Sequence, residues 1–408
     1  MMFWIDNQRK INISYEEFFN GIQNIHRIPS ILYFKETYEF IVHLFASIYS
    51  NIDVEIIDSD LSEVEMIELG ITPNRLLDSN TVEISRERFN SINVANSTWS
   101  CILYTSGTTG KPKKIKHNLS SLTRFLKRGV GYQSHVWGLA YNPTHIAGLQ
   151  VIFQAFYNRN PLIYVFNTNP SSIEQVLRTF GVTHLSATPT FYRTFMPYVK
   201  EPVTSVKRIT MGGESFDNLL VKHLEKLFPN GVIRNIYAST EAGSLLQSNG
   251  ETFLIPEQFK EKIIVKEQGE LLVHRSLLGE FHGHTLDDNW YHTGDLVELV
   301  SPDELKFIGR VSDFISVGGY KVNPKEVEDV IIRIPEIVDA RVVGRNNRIT
   351  GSILVAQIVV YEELEDEDTF IKEVQRHLSD TLQPWKVPRI ITLVSTLDQT
   401  RTGKKVRT

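Results

Sequence analysis

The sequence predicts an α/β fold: a large N-terminal domain of layered α/β sheets plus a small β-rich subdomain, followed by a small α+β C-terminal domain. Three observations carry this prediction. Between residues 99 and 242, apolar runs of strand length alternate with stretches of helical periodicity, which is typical of βαβ units and a mostly parallel sheet. Residues 251–308 show short β-like runs between Gly and Asp turns, and residues 310–408 mix strands with one-sided apolar helices.

The elements before residue 99 are weakly marked. Apolar residues at helical spacing predict a helix over Lys35–Ser50, between short strands at Ser30–Phe34 and Val54–Ile57. The next region alternates more clearly. Its predicted elements are strands at Trp99–Tyr104, Leu162–Phe166, Thr183–Ala187, Val206–Met211 and Val232–Tyr237, and helices at Leu119–Lys127, Ile146–Tyr157, Ser172–Phe180, Thr190–Tyr198 and Phe216–Leu227.

The last part of the chain changes character. A helix is expected to begin at Pro324, because proline suits the first helical position and an apolar face follows it. The acidic run Glu362–Asp368 is expected to be a solvated loop that leads into the positive end of the next helix. The remaining predicted elements are strands at Glu270–His274, Leu296–Leu299, Leu305–Ile308, Ala340–Val343, Ile353–Val360 and Ile390–Val394, and a helix at Phe370–Leu382.

Composition bounds the class of protein. The chain has 408 residues, enough for two to four folding units at ~100–200 residues each. Its 41% hydrophobic and 22% charged residues permit a sizeable core and exclude a disordered or collagenous chain. The net charge of −5 argues against bulk electrostatic binding of nucleic acid. One cysteine, Cys101, excludes a disulfide framework and a Cys-based zinc site.

Neither a targeting segment nor a membrane span is expected. The first residues, MMFWIDNQRK, turn polar after four residues and lack the apolar core of a signal peptide. The apolar stretch Phe40–Ile48 is too short for a bilayer, which needs ~20 residues. The sequence therefore predicts a soluble cytoplasmic protein in a reducing compartment.

The most informative stretch is Tyr104–Lys113 (YTSGTTGKPK), which follows a predicted strand and precedes a predicted helix. Ligands bind at such positions in open α/β sheets. The stretch combines glycines, hydroxyls and lysines, which together make an anion cradle: Thr105, Ser106, Gly107, Thr108, Thr109, Gly110, Lys111 and Lys113. It is not a Walker P-loop, because Thr105 stands where Gly is needed and Pro112 where Ser or Thr is needed. An ordinary turn, or a basic patch with Lys114 and Lys116, stays open.

The same stretch resembles the phosphate-loop signature of the adenylate-forming superfamily, which includes acyl-CoA synthetases, adenylation domains of peptide synthetases and luciferases. Further motifs of that superfamily follow in order: YASTE at Tyr237–Glu241 with Ala238 in place of Gly, YHTGDL at Tyr291–Leu296, GRVSDFISVGGYKVNPKEVE at Gly309–Glu328, and TGKKVR at Thr402–Arg407. The resemblance covers about residues 99–408, and the compact build is similar to that of o-succinylbenzoyl-CoA ligases.

The resemblance implies a two-step reaction with ATP, Mg²⁺ and a thiol. A carboxylic acid attacks the α-phosphorus of ATP to give acyl-AMP and pyrophosphate, and a thiol then takes the acyl group. Lys404, Thr240, Glu241 and His145 are the implied catalytic residues, with Glu241 as the Mg²⁺ ligand. Beside the phosphate loop, the implied ATP and AMP contacts are Gly212, Gly213 and Glu214 at the adenine, Tyr237 stacked on the base, and Asp295 and Arg310 at the ribose. From local sequence alone, Glu241 also fits a surface acid and Asp295 a turn residue.

The resemblance also implies a domain boundary and a movement. The adenylation domain would span residues 1–309, with an abbreviated subdomain at 1–98, and a mobile lid at 310–408 would carry Lys404. The lid would rotate about Ser312 between the two half-reactions. Gly318 and Gly319 would line the thiol tunnel, although a plain hairpin turn is the alternative. Lys405 is a second candidate for the catalytic lysine, but it follows the GK step of the motif and is expected to face solvent.

The substrate is the least determined feature. The resemblance implies that His145 and the SATPT segment, through Ser186 and Thr188, line the acyl pocket; a helix-capping or core histidine is the alternative for His145. The short N-terminal region favours a small, aryl or polar acid over a long fatty acid. Transfer to CoA is the first hypothesis, loading of the phosphopantetheine of a separate carrier protein the second, and an inactive nucleotide-binding module the third. A homodimer is a further open expectation.

Overall fold

The computed structural model describes residues 1–59, 61–84, 97–105, 113–282, 288–347, 351–362, 364–399 and 405–406. In these ranges the strands are β1 (Met2–Asp6), β2 (Ile11–Ser14), β3 (Arg27–Pro29), β4 (Ile31–Leu32), β5 (Val54–Ile56), β6 (Ser79–Thr81), β7 (Ser100–Thr105), β8 (Lys113–Asn118), β9 (Trp137–Leu139), β10 (Leu162–Tyr164), β11 (His184–Ala187), β12 (Arg208–Gly212), β13 (Val232–Ser239), β14 (Gly243–Ser248), β15 (Thr252–Leu254), β16 (Ile263–Val265), β17 (Glu270–His274), β18 (Glu280–His282), β19 (Trp290–Ser301), β20 (Glu304–Arg310), β21 (Ile315–Val317), β22 (Tyr320–Val322), β23 (Ile337–Asn347), β24 (Gly351–Val360) and β25 (Ile390–Leu393).

The α-helices of the described residues are α1 (Tyr15–Gln23), α2 (Thr37–Ser50), α3 (Glu63–Glu68), α4 (Pro73–Leu77), α5 (Leu119–Leu122), α6 (Ile146–Tyr157), α7 (Pro170–Thr179), α8 (Pro189–Phe195), α9 (Asn218–Leu227), α10 (Pro324–Ile331) and α11 (Glu367–Thr381). None of them is both long enough and apolar enough to cross a membrane.

The largest sheet has eight strands in the order β14-β13-β12-β11-β9-β10-β1-β2. Its six inner strands are parallel, and the antiparallel strands β14 and β2 close its two edges. A five-stranded sheet has the order β18-β8-β7-β5-β4. Four of its strands come from residues 31–118, and β18 comes from the β-rich region. Apolar clusters on α1, α2 and α6, and on α7, α8 and α9, form the cores around these sheets. The predicted layers of α/β sheet are confirmed.

The β-rich subdomain and the C-terminal part have cores of their own. Strands β15-β20-β19-β17-β16 form an antiparallel sheet over a cluster that includes Leu271 and Leu305. Further along, β23, β24 and β25 form a three-stranded sheet on which α10 and α11 pack through Val327, Ile331 and Leu378. This is the predicted small α+β unit, and Pro324 is indeed the first residue of its helix.

The N-terminal strands differ from the sequence prediction, which placed no strand before residue 30. Strand β1 pairs in parallel with β10, with Trp4 opposite Leu162, so the first residues belong to the largest sheet. Phe3 and Trp4 are almost fully buried there. The run is only five residues long, too short for periodicity to mark it as a strand.

Two predicted helices are shorter in the structure. The helix expected over Leu119–Lys127 ends at Leu122, because the backbone N–H and carbonyl of Lys127 bond the side-chain amide of Gln154 on α6 at 3.0 and 2.8 Å. The helix expected to reach Tyr198 ends at Phe195, since Pro197 has no N–H to continue it.

Candidate active site

Three of the predicted nucleotide-binding residues meet at one point. Asp295 on β19 and Arg310 on β20 are cross-strand partners, and the Arg310 Nε donates to Asp295 Oδ1 at 2.6 Å. The hydroxyl of Tyr237, near the end of β13, donates to Asp295 Oδ2 at 2.7 Å. We call these three residues the nucleotide-side cluster. Asp295 and Arg310, 15 positions apart, meet within one sheet, whereas Tyr237 lies 58 positions from Asp295 and reaches it from the largest sheet.

The charges in the nucleotide-side cluster are fixed by their neighbours. Burial alone would lower the pKa of Arg310, but the charge and hydrogen bond of Asp295 raise it above its usual value. Burial, reinforced by the Asp295 charge, raises the pKa of Tyr237 well above its ordinary range. At neutral pH the phenol therefore keeps its proton and acts as the donor to Asp295.

The Tyr237 ring has one face already covered. It stacks on Phe307 with 4.1 Å between ring centroids and 27° between the planes. The predicted stacking on a base would therefore use the opposite face of the ring. The sequence reasoning did not select Phe307; its position on β20, near Arg310, is what places it there.

Glu241 and Thr240 follow β13 in the YASTE motif, and each is held by a contact from elsewhere. Tyr291, the first residue of YHTGDL, donates its hydroxyl to Glu241 Oε1 at 3.0 Å. Burial, together with the Glu241 charge, raises the pKa of Tyr291, so that this phenol stays protonated. The Thr240 carbonyl lies 2.7 Å from Nε2 of His117 on β8.

His117 is a residue that the sequence analysis missed. It is 2% exposed, and because a carbonyl only accepts, its Nε2 must carry the proton. Burial lowers the pKa of His117, which keeps the ring neutral at neutral pH. The alternation of β8 could have revealed it, since Ile115 and His117 share the buried face of that strand. His117 thus ties the YASTE loop to the strand that follows the predicted phosphate loop.

The predicted phosphate loop is described only at its two ends. Thr105 ends β7 and Lys113 begins β8, and the two are cross-strand partners. Ser106, Gly107, Thr108, Thr109, Gly110 and Lys111 lie outside the described residues, as does Lys404. The next basic residues face carboxylates, with Lys114 at 3.7 Å from Glu55 and Lys116 at 3.2 Å from Asp53. That pairing disfavours a basic patch for nucleic acid.

The expected adenine loop lies at the same edge of the largest sheet. Strand β12 ends at Gly212, where an added Cβ would approach the Ile236 carbonyl to 3.0 Å, and Gly213 has φ of +84°. The carboxylate of Glu214 accepts from the backbone N–H of Thr190 at 3.1 Å and from its hydroxyl at 2.8 Å. Glu214 therefore fixes the loop after β12 to the start of α8, at the carboxyl end of the parallel strands.

His145 occupies the cap position of α6, but its side chain makes no cap hydrogen bond. Its Nε2 lies 2.9 Å from Oδ2 of Asp58, just after β5, and Asp58 also accepts from the Asn142 amide at 3.0 Å and from the Thr144 hydroxyl. Burial would raise the pKa of Asp58, yet His145 and these donors hold it below its usual value. Asp58 was missed because no motif marks it.

The other predicted acyl-pocket residues are engaged within the fold. Ser186 on β11 shares a hydrogen bond with the Thr210 hydroxyl, and Thr188 caps α8 by accepting from the Phe191 N–H at 3.1 Å. Both are largely buried. Gly148 is required by packing, since an added Cβ would lie 2.1 Å from the Asn142 carbonyl. The acyl-pocket roles of Ser186, Thr188 and His145 stay predictions.

The predicted hinge and thiol-tunnel residues lie on the surface. Ser312 is exposed in a single turn over Val311–Asp313, between β20 and β21. Gly318 and Gly319 form the two-residue loop between β21 and β22, with φ of +57° and +88°. Within the described part of the chain, a Cβ added at either glycine would meet no atom within 4 Å beyond its immediate chain neighbours. The turn geometry, which needs positive φ at both positions, accounts for the glycines in this structure.

The expectation for Lys405 was wrong. Its side chain is 8% exposed, its Nζ lies 2.5 Å from Asp339 Oδ1, and it donates to the Ala340 carbonyl at 2.7 Å. The reason is the buried carboxylate of Asp339 on β23, which local sequence near the C-terminus does not show.

A magnesium ion would find one protein carboxylate here. Among the described residues, no group of three or more His, Cys, Asp or Glu side chains could hold a metal by itself. Mg²⁺ commonly takes one or two carboxylates plus phosphate oxygens and waters. A single Glu241, beside a nucleotide, fits that pattern.

Comparison with known proteins identifies two matching families. The AMP-binding enzyme family matches residues 40–264, and the AMP-binding enzyme C-terminal domain matches residues 326–404. The chain is 25% identical over 390 residues to Bacitracin synthase 3 of Bacillus licheniformis, covering 85% of this chain and 6% of that protein. It is 26% identical over 384 residues to 2-succinylbenzoate–CoA ligase of Staphylococcus aureus, covering 85% of this chain and 76% of the relative.

Solved structures with the same fold cover nearly the whole chain. The o-succinylbenzoate CoA synthetase of Bacillus subtilis, in complex with its acyl-adenylate intermediate, gives a TM-score of 0.71 at 18% identity over 100% of this chain and 94% of that one. An anthranilate CoA ligase in complex with anthranoyl-AMP gives 0.74 at 17% identity, over 99% and 92%. These likenesses confirm the predicted fold class.

Proposed function

The chain belongs to the AMP-binding enzyme family, and we propose that it activates a carboxylic acid with ATP and passes the acyl group to the thiol of CoA. The observation that carries the proposal is the meeting of Tyr237, Asp295 and Arg310 beside the Glu241–Tyr291 pair. The His117 contact to the Thr240 carbonyl links this group to β8, the strand that follows the phosphate-loop segment. The relatives named as CoA ligases support the AMP-forming ligase class.

The contacts suit a nucleotide. The Asp295 carboxylate has about four acceptor positions, of which Tyr237 and Arg310 use two, one on each oxygen. The remaining lone pairs can accept both hydroxyls of a ribose. Arg310 also keeps a side chain that is 44% exposed, with donors left for the nucleotide. Glu241 would hold the magnesium that accompanies ATP, and that ion would neutralise phosphate charge.

We propose a small, aryl or polar acid as the substrate class. Two supporting relatives, by name, act on succinylbenzoate and anthranilate, which are aromatic acids. The His145–Asp58 pair lies at the start of α6, and α6 approaches β14 just beyond Glu241 through the Gln150–Ser244 hydrogen bond of 2.9 Å. A polar pair at that place would suit an acid with a polar substituent better than a long aliphatic chain.

Lys404 is proposed as the residue that bridges the carboxylate and the α-phosphate. Lys404→Ala should lower acyl-AMP formation by about 10²–10³-fold, the usual loss when one charge-stabilising donor is removed. It should leave thioester formation from supplied acyl-AMP largely intact. Equal loss of both half-reactions would refute the role.

The test of the function is a panel of carboxylic acids with hydroxylamine trapping, which reports acyl-AMP formation without knowledge of the thiol acceptor. Pyrophosphate should be released from ATP when an aryl or small polar acid is supplied, and it should not be released with long fatty acids. CoA and a phosphopantetheine-loaded carrier protein are then compared as acceptors. If only the carrier protein stimulates AMP release, the acceptor is a carrier protein and not CoA. If no acid gives pyrophosphate release, an inactive nucleotide-binding module is favoured.

A further inference from the structure

Four charged side chains form a buried line between the large sheet region and the C-terminal α+β unit. Arg193 on α8 lies 2.6 Å from Asp217, which caps α9, and 3.7 Å from Asp339 on β23. Asp339 in turn lies 2.5 Å from Lys405. Each of the four side chains is 6–8% exposed. We call Asp217, Arg193, Asp339 and Lys405 the charge chain.

The charges alternate in sign, which is why they can be buried together. Desolvating an ion costs several kcal/mol, and a pair offsets this cost only with good geometry and further hydrogen bonds. Burial alone would lower the pKa of Arg193, but Asp339 and Asp217 raise it above its usual value. For Asp217, burial acts to raise the pKa, while Arg193 and nearby Lys325 hold it below its usual value. Arg193 and Asp217 are therefore charged at neutral pH in this arrangement.

The link between the two parts of the molecule is also the longest contact in the charge chain. Arg193 and Asp217 belong to the helices around the largest sheet, whereas Asp339 and Lys405 belong to the C-terminal unit. A cavity of about 270 Å³ lies beside this link, lined by Arg193, Asp217, Ile337 and Tyr361 among others. The boundary between the large sheet region and the C-terminal unit, which we call the seam, is thus incompletely packed. The Arg193–Asp339 contact can therefore separate without disrupting a close-packed core.

The charge chain lies on the face of the C-terminal unit that is turned toward α8 of the large sheet region. Lys405 forms a β-bridge with Gln399, and the Gln399 amide donates to the Thr194 hydroxyl on α8 at 3.3 Å. Gln399 is therefore held against the large sheet region, and Lys405 is bridged to it. The hairpin with Gly318 and Gly319, by contrast, faces solvent, and its Tyr320 is 52% exposed. In this orientation the C-terminal segment, rather than the hairpin, meets the large domain.

We propose that Arg193 and Asp339 are positioning residues whose contact selects the domain orientation for acid adenylation and opposes the orientation for the thiol step. The inference rests on the proposed function, because Lys405 directly follows the proposed catalytic Lys404. Lys405 is held by Asp339, and Asp339 is linked to the large domain by Arg193. The contact must break when the C-terminal unit turns to present the hairpin.

The test measures the two half-reactions separately in the variant Asp339→Asn. This substitution keeps the shape of the side chain and removes its charge. Acyl-AMP formation, trapped with hydroxylamine, should fall about 5- to 10-fold, as expected for a modest coupling between domains. Thioester formation from supplied acyl-AMP and CoA should be unchanged or faster. A folded Asp339→Asn in which both rates fall equally, or neither changes, overturns the proposal.

Two further variants keep the proposal testable. Lys386→Met removes a 2.6 Å ion pair to Glu326 that lies within the C-terminal unit, and it should not change the ratio of the two rates. If Asp339→Asn does not fold, Gln399→Ala removes the neighbouring contact to Thr194 from an exposed position and should shift the ratio in the same direction by about 2- to 3-fold. An unshifted ratio there overturns the proposal.

A spin-label distance reports the orientation without any activity. Lys226 and Glu373 are exposed on the two parts of the molecule, and Cys101 is buried, so labelled cysteines at the two surface positions report the separation. The distance distribution should be narrow in the parent chain and broaden in Asp339→Asn. An unchanged distribution overturns the proposal. If no acid is adenylated by the parent chain, the proposed function fails while this measurement still decides whether the charge chain fixes the orientation.

Discussion

The nucleotide-side cluster and the charge chain both combine carboxylate, an arginine and a second donor. They differ in the exposed fraction of the arginine side chain. The Arg310 side chain is 44% exposed, whereas that of Arg193 is 6% exposed. The two carboxylates, by contrast, are alike: Asp295 holds Tyr237 and Arg310, Asp339 holds Arg193 and Lys405, and each is 6% exposed. The difference teaches that the arginine decides what each group can do: exposed Arg310 has donors that a ligand could reach, whereas buried Arg193 directs its donors to carboxylates of the protein.

The largest expected effect lies in the charge chain. Asp217→Ala should lower the free energy of unfolding by about 3 kcal/mol, because buried Arg193 would lose its 2.6 Å ion-pair partner. Urea unfolding at neutral pH measures it. The matched control is Asp303→Ala, which removes a carboxylate from a surface pair with Lys260 and should cost less than about 1 kcal/mol. Equal losses in the two variants would contradict the difference between buried and exposed pairs.

The next effect should appear in the nucleotide-side cluster and should concern binding. Asp295→Asn should raise KM for ATP by about 10- to 100-fold, because a charged acceptor is lost that holds Arg310 and Tyr237 and would accept the ribose hydroxyls. Pyrophosphate release at varied ATP concentrations measures it. The control is Asp303→Asn, which changes a surface carboxylate that does not contact the cluster. This variant should leave KM for ATP unchanged. An unaltered KM in Asp295→Asn would remove the residue from the nucleotide site.

A pH experiment separates the two regions by the groups that titrate in them. Since burial lowers the pKa of His117, the unfolded chain binds a proton below about pH 6.5 while the native ring stays neutral. Native stability should therefore fall as pH drops below about 6.5, until the lowered native pKa is reached. The Asp217 contribution works differently: its pKa is lowered, so its stabilisation persists to acid pH and is lost only below about 4.

His117→Gln tests this assignment, because the glutamine amide can still donate to the Thr240 carbonyl but does not titrate. Unfolding followed between pH 7.5 and 5 should show a shallower loss of stability in His117→Gln than in the parent chain. The exposed His26 provides the control, and His26→Gln should follow the parent curve. Parallel curves for all three proteins would show that His117 does not titrate as its burial implies.

The smallest expected effect concerns Tyr291. Tyr291→Phe removes one neutral donor from Glu241 without altering the carboxylate charge, and it should change the magnesium concentration for half-maximal activity by about 2- to 10-fold. A magnesium titration of pyrophosphate release measures it. The control is Tyr361→Phe at the seam near Arg193, where the dependence on magnesium should stay at the parent value. No change in Tyr291→Phe would show that the phenol does not orient the proposed metal ligand.

Much of the nucleotide-side cluster could be predicted from the sequence because short motifs carry it. YASTE and YHTGDL supply Tyr237, Glu241 and Asp295, and each motif lies on a strand or its end, where period and turn residues are visible. The helix α6 was predicted at its observed bounds, because its apolar residues and its buried position agree. Motif and local propensity act within a few residues, and that is the range in which a sequence can be interpreted directly.

The residues that the sequence did not reveal share a different property. Asp58 and His117 act through partners 87 and 123 positions away, and neither belongs to a motif. Lys405 resembles a surface lysine until Asp339 is placed beside it, 66 positions away in the sequence. A lone charged or aromatic residue carries no information on its partner, because the desolvation that perturbs it arises only when distant strands pack together.

By itself, the sequence determined the alternation that makes an α/β fold, the order of the motifs, and the chemistry that those residue types can perform. These are local properties, set by backbone preference, side-chain period and turn geometry. The tertiary structure alone decided that β1 joins the largest sheet, that Asp295 faces both Tyr237 and Arg310, and that Arg193 meets Asp339 across the seam. Those contacts exist because burial brings charges together from far apart in the chain, and the free energy of a buried charge depends on every neighbour within a few ångströms.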